Sequence, residues 1–133
     1  MSKIIDVIEK LPGLITLKPA EIQTIENIEI ELALPLAEDY KEYLQKFGAA
    51  MADNVELTGV TKSKHRNVVV VTRKEWQSNP LIKHTMYVVE NLGIEGIIIW
   101  QNSSGKIYQS SPNHAAEKIA DNLADYLEYK QRV

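Results

Sequence analysis

Leu34-Pro35-Leu36-Ala37-Glu38-Asp39-Tyr40-Lys41-Glu42-Tyr43-Leu44, followed by Phe47-Gly48, carries a helix break, an apolar helical stripe and a helix stop in succession. Leu34-Pro35 interrupts any helix that precedes it, because the residue before a proline is driven out of the helical region. From Ala37 to Phe47 the apolar residues Tyr40, Tyr43, Leu44 and Phe47 recur at helical spacing and define one inward face. Gly48 then stands where a helix exit needs a positive φ. The expectation is a helix from Ala37 to Phe47 that enters at an angle fixed by Pro35.

Upstream, Ile4, Ile5, Ile8 and Leu11 repeat at helical spacing after Ser2, a competent N-cap, and Pro12-Gly13 stops the segment. Lys18-Pro19-Ala20-Glu21 opens a second helix, with Ile22, Ile25 and either Ile28 or Glu29 on its stripe, running to about Leu32. Downstream, the period changes to two. Val55 to Val60 alternates like a half-buried strand, and Met86–Glu90 and Gly96–Gln101 are strands separated by the loop Asn91 to Glu95. Ile97 to Trp100 is apolar on both faces, which predicts a central strand covered on both sides. Asn102-Ser103-Ser104-Gly105 is a turn that returns the chain as a hairpin through Lys106 to Gln109.

Two stretches admit rival readings. Val68-Val69-Val70-Val71 has strand propensity, but Thr72 to Asn79 reads as helix, and a helix from about Val69 to Gln77 is favoured. Ala116, Ile119, Ala120, Leu123 and Leu127 fit a helical stripe starting near 115. Asn122-Leu123-Ala124-Asp125 resembles a capping box and favours the later start. Helices followed by strands and a last helix predict an α+β fold: N-terminal helices packed on a mainly antiparallel sheet with a C-terminal helix, in one domain over 1–133.

The chain has 133 residues, 44% of them hydrophobic, enough for one core without staples. It has no cysteine, which excludes disulfides, thiolate metal sites and Cys nucleophiles. Acids lie among the apolar residues of the first ten positions, so no secretory signal is expected and the expected address is cytoplasmic. The longest apolar runs are four residues, far short of the ~20 that cross a bilayer, so no membrane is implied.

The net charge of −3 is unevenly spread. Residues 1–60 hold 5 basic and 11 acidic side chains (−6), residues 61–85 hold 6 and 1 (+5), and residues 86–133 hold 4 and 6 (−2). An acidic N-terminal half opposes affinity for nucleic acid and suits a basic protein partner. The basic island of Lys62, Lys64, His65, Arg66, Arg73 and Lys74 has only Trp76 as a possible stacking ring. It reads as a solvated loop rather than a nucleic-acid stripe.

Catalytic and metal signatures are missing. His65, His84 and His114 are separated from one another and from acids at ligand spacing. Gly93-Ile94-Glu95-Gly96 lacks the third glycine and the following helix of a phosphate loop, and Ser103-Ser104 and Ser110-Ser111 lack the glycines of a nucleophile elbow. Glu26, Glu29 and Glu31 read as a solvated helix face rather than a cation site. No catalytic residue, metal or cofactor is expected. The candidate partner-binding residues are acids outside the core pattern, Asp53, Glu56, Glu90 and Glu95, with Trp76 as an aromatic anchor; singly, each also reads as an ordinary surface residue.

The Leu34-to-Leu44 stretch with Phe47-Gly48 resembles the leucine-proline, tyrosine and glycine signature of the SMI1/KNR4, or SUKH, superfamily. Gly59, Tyr87-Val88-Val89, Gly105 with Ile107-Tyr108, and Ile119 to Leu127 resemble its later landmarks, so the likeness covers roughly residues 18 to 130. The resemblance implies a non-enzymatic immunity protein, an antitoxin that binds a cognate toxin domain, often a nuclease. The alternative it leaves is an intracellular scaffold or regulator of an endogenous protein. An enzyme or RNA-binding module ranks last.

Overall fold

Tyr40, Tyr43, Leu44 and Phe47 are all buried on one face of a helix spanning Glu38–Phe47 (α3) in the computed structural model, which describes residues 3–132. Ala37 is its N-cap, and Gly48 ends it at φ 72 and ψ −53. The Ala49 N–H donates to Phe47 O at 2.7 Å, so Gly48 is the centre of a tight γ-turn, a strained conformation open to glycine. A Cβ on Gly48 would stand 2.0 Å from Lys18 O, and one on Gly59 2.3 Å from Gly48 O. Three backbone segments therefore cross where only hydrogens fit.

The first helix is Lys3–Glu9 (α1), and its expected cap Ser2 lies outside the described residues. The second, Ile22–Leu32 (α2), starts later than Lys18-Pro19 predicts. The chain before it is tied elsewhere: Leu17 N donates to Ala49 O and Ala20 N to Leu44 O. Ile22, expected inward, is 64% exposed, and the buried stripe is Ile25, Ile28 and Leu32. The stop is Ala33 at φ 55, whose N–H reaches Glu29 O and Ile30 O; Pro35 follows two residues later.

Three short strands, Ile15–Thr16 (β1), Ala50–Ala52 (β2) and Val55–Glu56 (β3), pair antiparallel in the order β1-β2-β3. The sheet thus begins at Ile15 and not at Val55. The strand expected to reach Val60 ends as a ladder at Glu56. Beyond it Leu57 bridges Glu90, Thr58 N donates to Val89 O, and Gly59 bridges Asn67. These links join the small sheet to a second one made of Met86–Asn91 (β4), Ile98–Asn102 (β5), Ile107–Ser110 (β6) and Glu117–Ala120 (β7), antiparallel in chain order.

Residues Val68–Ser78 form a helix (α4), as favoured over a strand. Asn67 caps it, its Oδ1 accepting from Val69 N and Val70 N. Leu123–Arg132 (α5) starts at the later of the two sites, where Asn122 Oδ1 accepts from Asp125 N at 2.8 Å. Of the rival stripe, Ile119 and Ala120 are in β7 and Ala116 precedes it, Ile119 being exposed, while Leu123 and Leu127 are buried on α5.

β4 and β5 separate two apolar clusters. Tyr87, Val89, Ile99 and Ile107 face the larger one, with α1, α2, α3 and α5; Met86, Val88, Ile98 and Trp100 face a smaller one with Val71 and Ile82. The double covering expected for the central strand holds for Ile98 to Trp100, while Ile97 precedes the strand and is half-buried. Trp100 is fully buried and its Nε1 donates to Ser110 Oγ at 2.8 Å.

The tyrosines of α3 join the layers through hydrogen bonds. Thr58 Oγ1 donates to Val88 O, so Tyr40 O–H donates to Thr58 Oγ1 at 2.8 Å. Tyr43 O–H donates to Thr58 O and accepts from Ala50 N. Tyr87 O–H donates to Gln101 Oε1 and accepts from Ala37 N. Gln101 Nε2 donates to Asp39 Oδ1, while Asp39 Oδ2 accepts the first N–H of α5, that of Leu123. Buried polar groups must be paired, and these are.

Candidate protein-binding groove

Parity along β4 breaks at Val89. Val88 pairs with Trp100 but Glu90 pairs with Ile99, so Val89 is the extra residue of a β-bulge and both it and Glu90 face the larger cluster. Strict alternation would have sent Glu90 to the other face. Its carboxylate instead accepts Glu56 N at 2.8 Å, Tyr126 O–H at 2.5 Å and Lys130 Nζ at 2.8 and 2.9 Å. Burial, then the Glu90 charge, drives the Tyr126 hydroxyl far above the usual phenol range.

This cluster forms the floor of a cavity of about 520 Å³ between β2–β3, the β4–β5 loop, the outer strands and α5. Val55 and Ile99 line it from below, and Ile94, Ile119 and Tyr129 from the rim. Those three are 63%, 43% and 58% exposed. Ile119 is the extra residue of a second bulge, since Ile107 pairs with Ala120 and Tyr108 with Lys118. Glu117 pairs with Gln109, another lining residue, and so lies on the groove face of β7.

Two of the candidate acids line the cavity and two only neighbour it in sequence, the carboxylate of Asp53 packing against Gly13. Glu56 and Glu90 line the cavity; Asp53 sits in the β2–β3 turn between lining residues Ala52 and Asn54, and Glu95 follows lining residue Ile94. Glu90 was grouped with surface acids, and that is corrected: it is 2% exposed and its oxygens are consumed internally. Asp53, Glu56, Glu95 and Glu117 are exposed and have no ion-pair partner among the described residues. Trp76 is not a lining residue. It is half-buried on α4, stacked on His84 at 4.2 Å with Nε1 donating to Met86 O. The sequence reading missed Ile94, Glu117, Ile119 and Tyr129, which come from three distant segments.

The basic island is divided. Arg66 turns inward, donating to Ala50 O and Leu57 O, and Arg73 donates to Glu31 O. Lys64, His65, Arg66 and Lys74 border a separate concavity of about 390 Å³ that also contains Glu56 and Glu75. Among the described residues no three His, Asp or Glu side chains converge as a metal group, and no helix is long and apolar enough to cross a membrane.

The signature residues of this antiparallel α+β fold, Pro35, Tyr40, Tyr43 and Gly48, serve its structure. The family model described as SMI1-KNR4 cell-wall (SUKH_5) matches residues 1–130, and the chain belongs to that family. Comparison with curated proteins found no match.

Proposed function

We propose that the protein is an immunity protein that binds a cognate polymorphic toxin domain in the cytoplasm and occludes it without catalysis. Family membership supports a protein partner. The observation that carries the reading is the groove: exposed Ile94, Ile119 and Tyr129 converge on one concavity, with the exposed acids Glu56, Glu95 and Glu117 on or beside its lining segments. Such a rim favours a basic partner, and a nuclease is basic because it holds phosphates. Glu56 and Glu95 belong to the proposed face; Glu90, Trp76 and Asp53, whose carboxylate packs against Gly13, do not.

The test is co-expression with the product of the adjacent gene. Co-elution of the two and rescue of growth support immunity. A neighbouring product that is neither toxic nor bound overturns it. In that case the family's cell-wall description favours the second reading, an intracellular scaffold or regulator of an endogenous protein.

A further inference from the structure

We propose that the groove seats a short peptide segment of the partner in which one aliphatic or aromatic side chain is flanked by Lys or Arg; this rests on the protein-binding reading above. Single exposed apolar residues need no explanation, but three from separate segments converging on one concavity do. Ile94, Ile119 and Tyr129 do so.

Charge selects the flanking residues. The Glu90–Lys130 pair at the floor neutralises itself. Lys118 is paired with Asp121 and, opposite Tyr108, lies on the other face of β7. Glu56, Glu95 and Glu117, without an ion-pair partner among the described residues, are left beside the mouth, and such a potential attracts a cation and repels phosphate. Two exposed lining amides suit a polypeptide occupant. The side chains of Asn54 and Gln109 have no hydrogen-bond partner among the described residues, and an amide supplies both donor and acceptor, matching a peptide main chain.

The experiment is an NMR titration of the full-length isotope-labelled protein with two synthetic peptides sharing a Trp-Leu centre, one flanked by Lys and Arg, the other by Asp and Glu. The basic-flanked peptide is expected to shift the amides of Ile94, Ile119 and Tyr129 saturably, and the acidic one to leave them in place. Ile119→Asp and, independently, Glu56→Lys with Glu95→Lys should weaken binding by about tenfold while circular dichroism stays native. No saturable shift at the groove, equal shifts from both peptides, or shifts confined to the exposed acids of α2 would overturn the proposal. So would the same shifts appearing on concentrating the protein alone, which would make a second copy the occupant. An Ile119→Asp variant that loses the peptide but still protects cells removes the groove assignment and leaves immunity standing; wild-type protein that binds the peptide but protects against nothing does the reverse.

Discussion

Lys130 Nζ lies 2.8 and 2.9 Å from the two oxygens of Glu90, with side chains 11% and 3% exposed, 40 residues apart in sequence. The pair fastens the last turn of α5 to the bulged end of β4. Its worth lies in being complete, because breaking a buried pair strands a charge while removing both partners need not.

Lys130→Met should therefore cost about 3–5 kcal/mol, since Glu90 keeps its charge among apolar walls. Adding Glu90→Gln to that variant should recover part of the loss. Urea denaturation of the two singles and the double measures the coupling, and purely additive losses would contradict it.

Trp100→Ala should cost about 3–5 kcal/mol, because the ring fills the smaller cluster and its loss leaves a cavity and an unpaired Ser110 hydroxyl. Trp76→Ala, at a half-buried position, should cost less. The same denaturation experiment ranks the two, and equal midpoints would refute the packing argument.

Gly59→Ala should lose more than about 4 kcal/mol or fail to fold, because the new methyl would meet the Gly48 carbonyl, a backbone atom that cannot swing away. Gly93→Ala is the control. Its φ is +70 with nothing within 4 Å of a Cβ, so only the left-handed penalty of about 1–2 kcal/mol applies.

Alkali should unfold the protein. Tyr40, Tyr43, Tyr87 and Tyr126 all have hydroxyls raised above their usual 10.0, chiefly by burial. The folded state holds these protons after the unfolded chain has released them. The stability they contribute is whole below pH 10.0 and declines as pH rises above it toward the folded values. Tyrosinate absorbance followed alongside circular dichroism checks this, and ionisation of all the tyrosines near pH 10 without unfolding would refute it.

Rim charge should act on encounter more than on stability. Glu56→Lys and Glu95→Lys should change the unfolding free energy by no more than about 0.5 kcal/mol each. They should slow association with the cognate toxin domain and flatten its salt dependence. Stopped-flow mixing at several salt concentrations decides it, and unchanged association rates would remove these acids from the interface.

What the sequence makes legible is whatever one residue period controls. Tyr40 to Phe47 announces its buried face, Ile98 to Trp100 its double covering, and Asn122 starts the last helix through its own side chain. β1 and β2 are two and three residues long, too short to display alternation. Glu90 was misread because the bulge at Val89 reverses parity and because the cation that permits its burial sits on α5. The groove was half legible: its acids could be named singly, but its apolar rim joins a loop, a bulged strand and a helix end that only the fold brings together.

The sealed floor and open rim of the groove divide the labour of evolution. Glu90, Tyr126 and Lys130 cannot change one at a time without leaving a buried group unpaired, so they hold the scaffold still. Ile94, Glu95, Glu117, Ile119 and Tyr129 are exposed, and substitutions there are close to neutral for stability. A lineage carrying this fold can therefore rewrite the rim of its groove step by step, without passing through an unfolded ancestor.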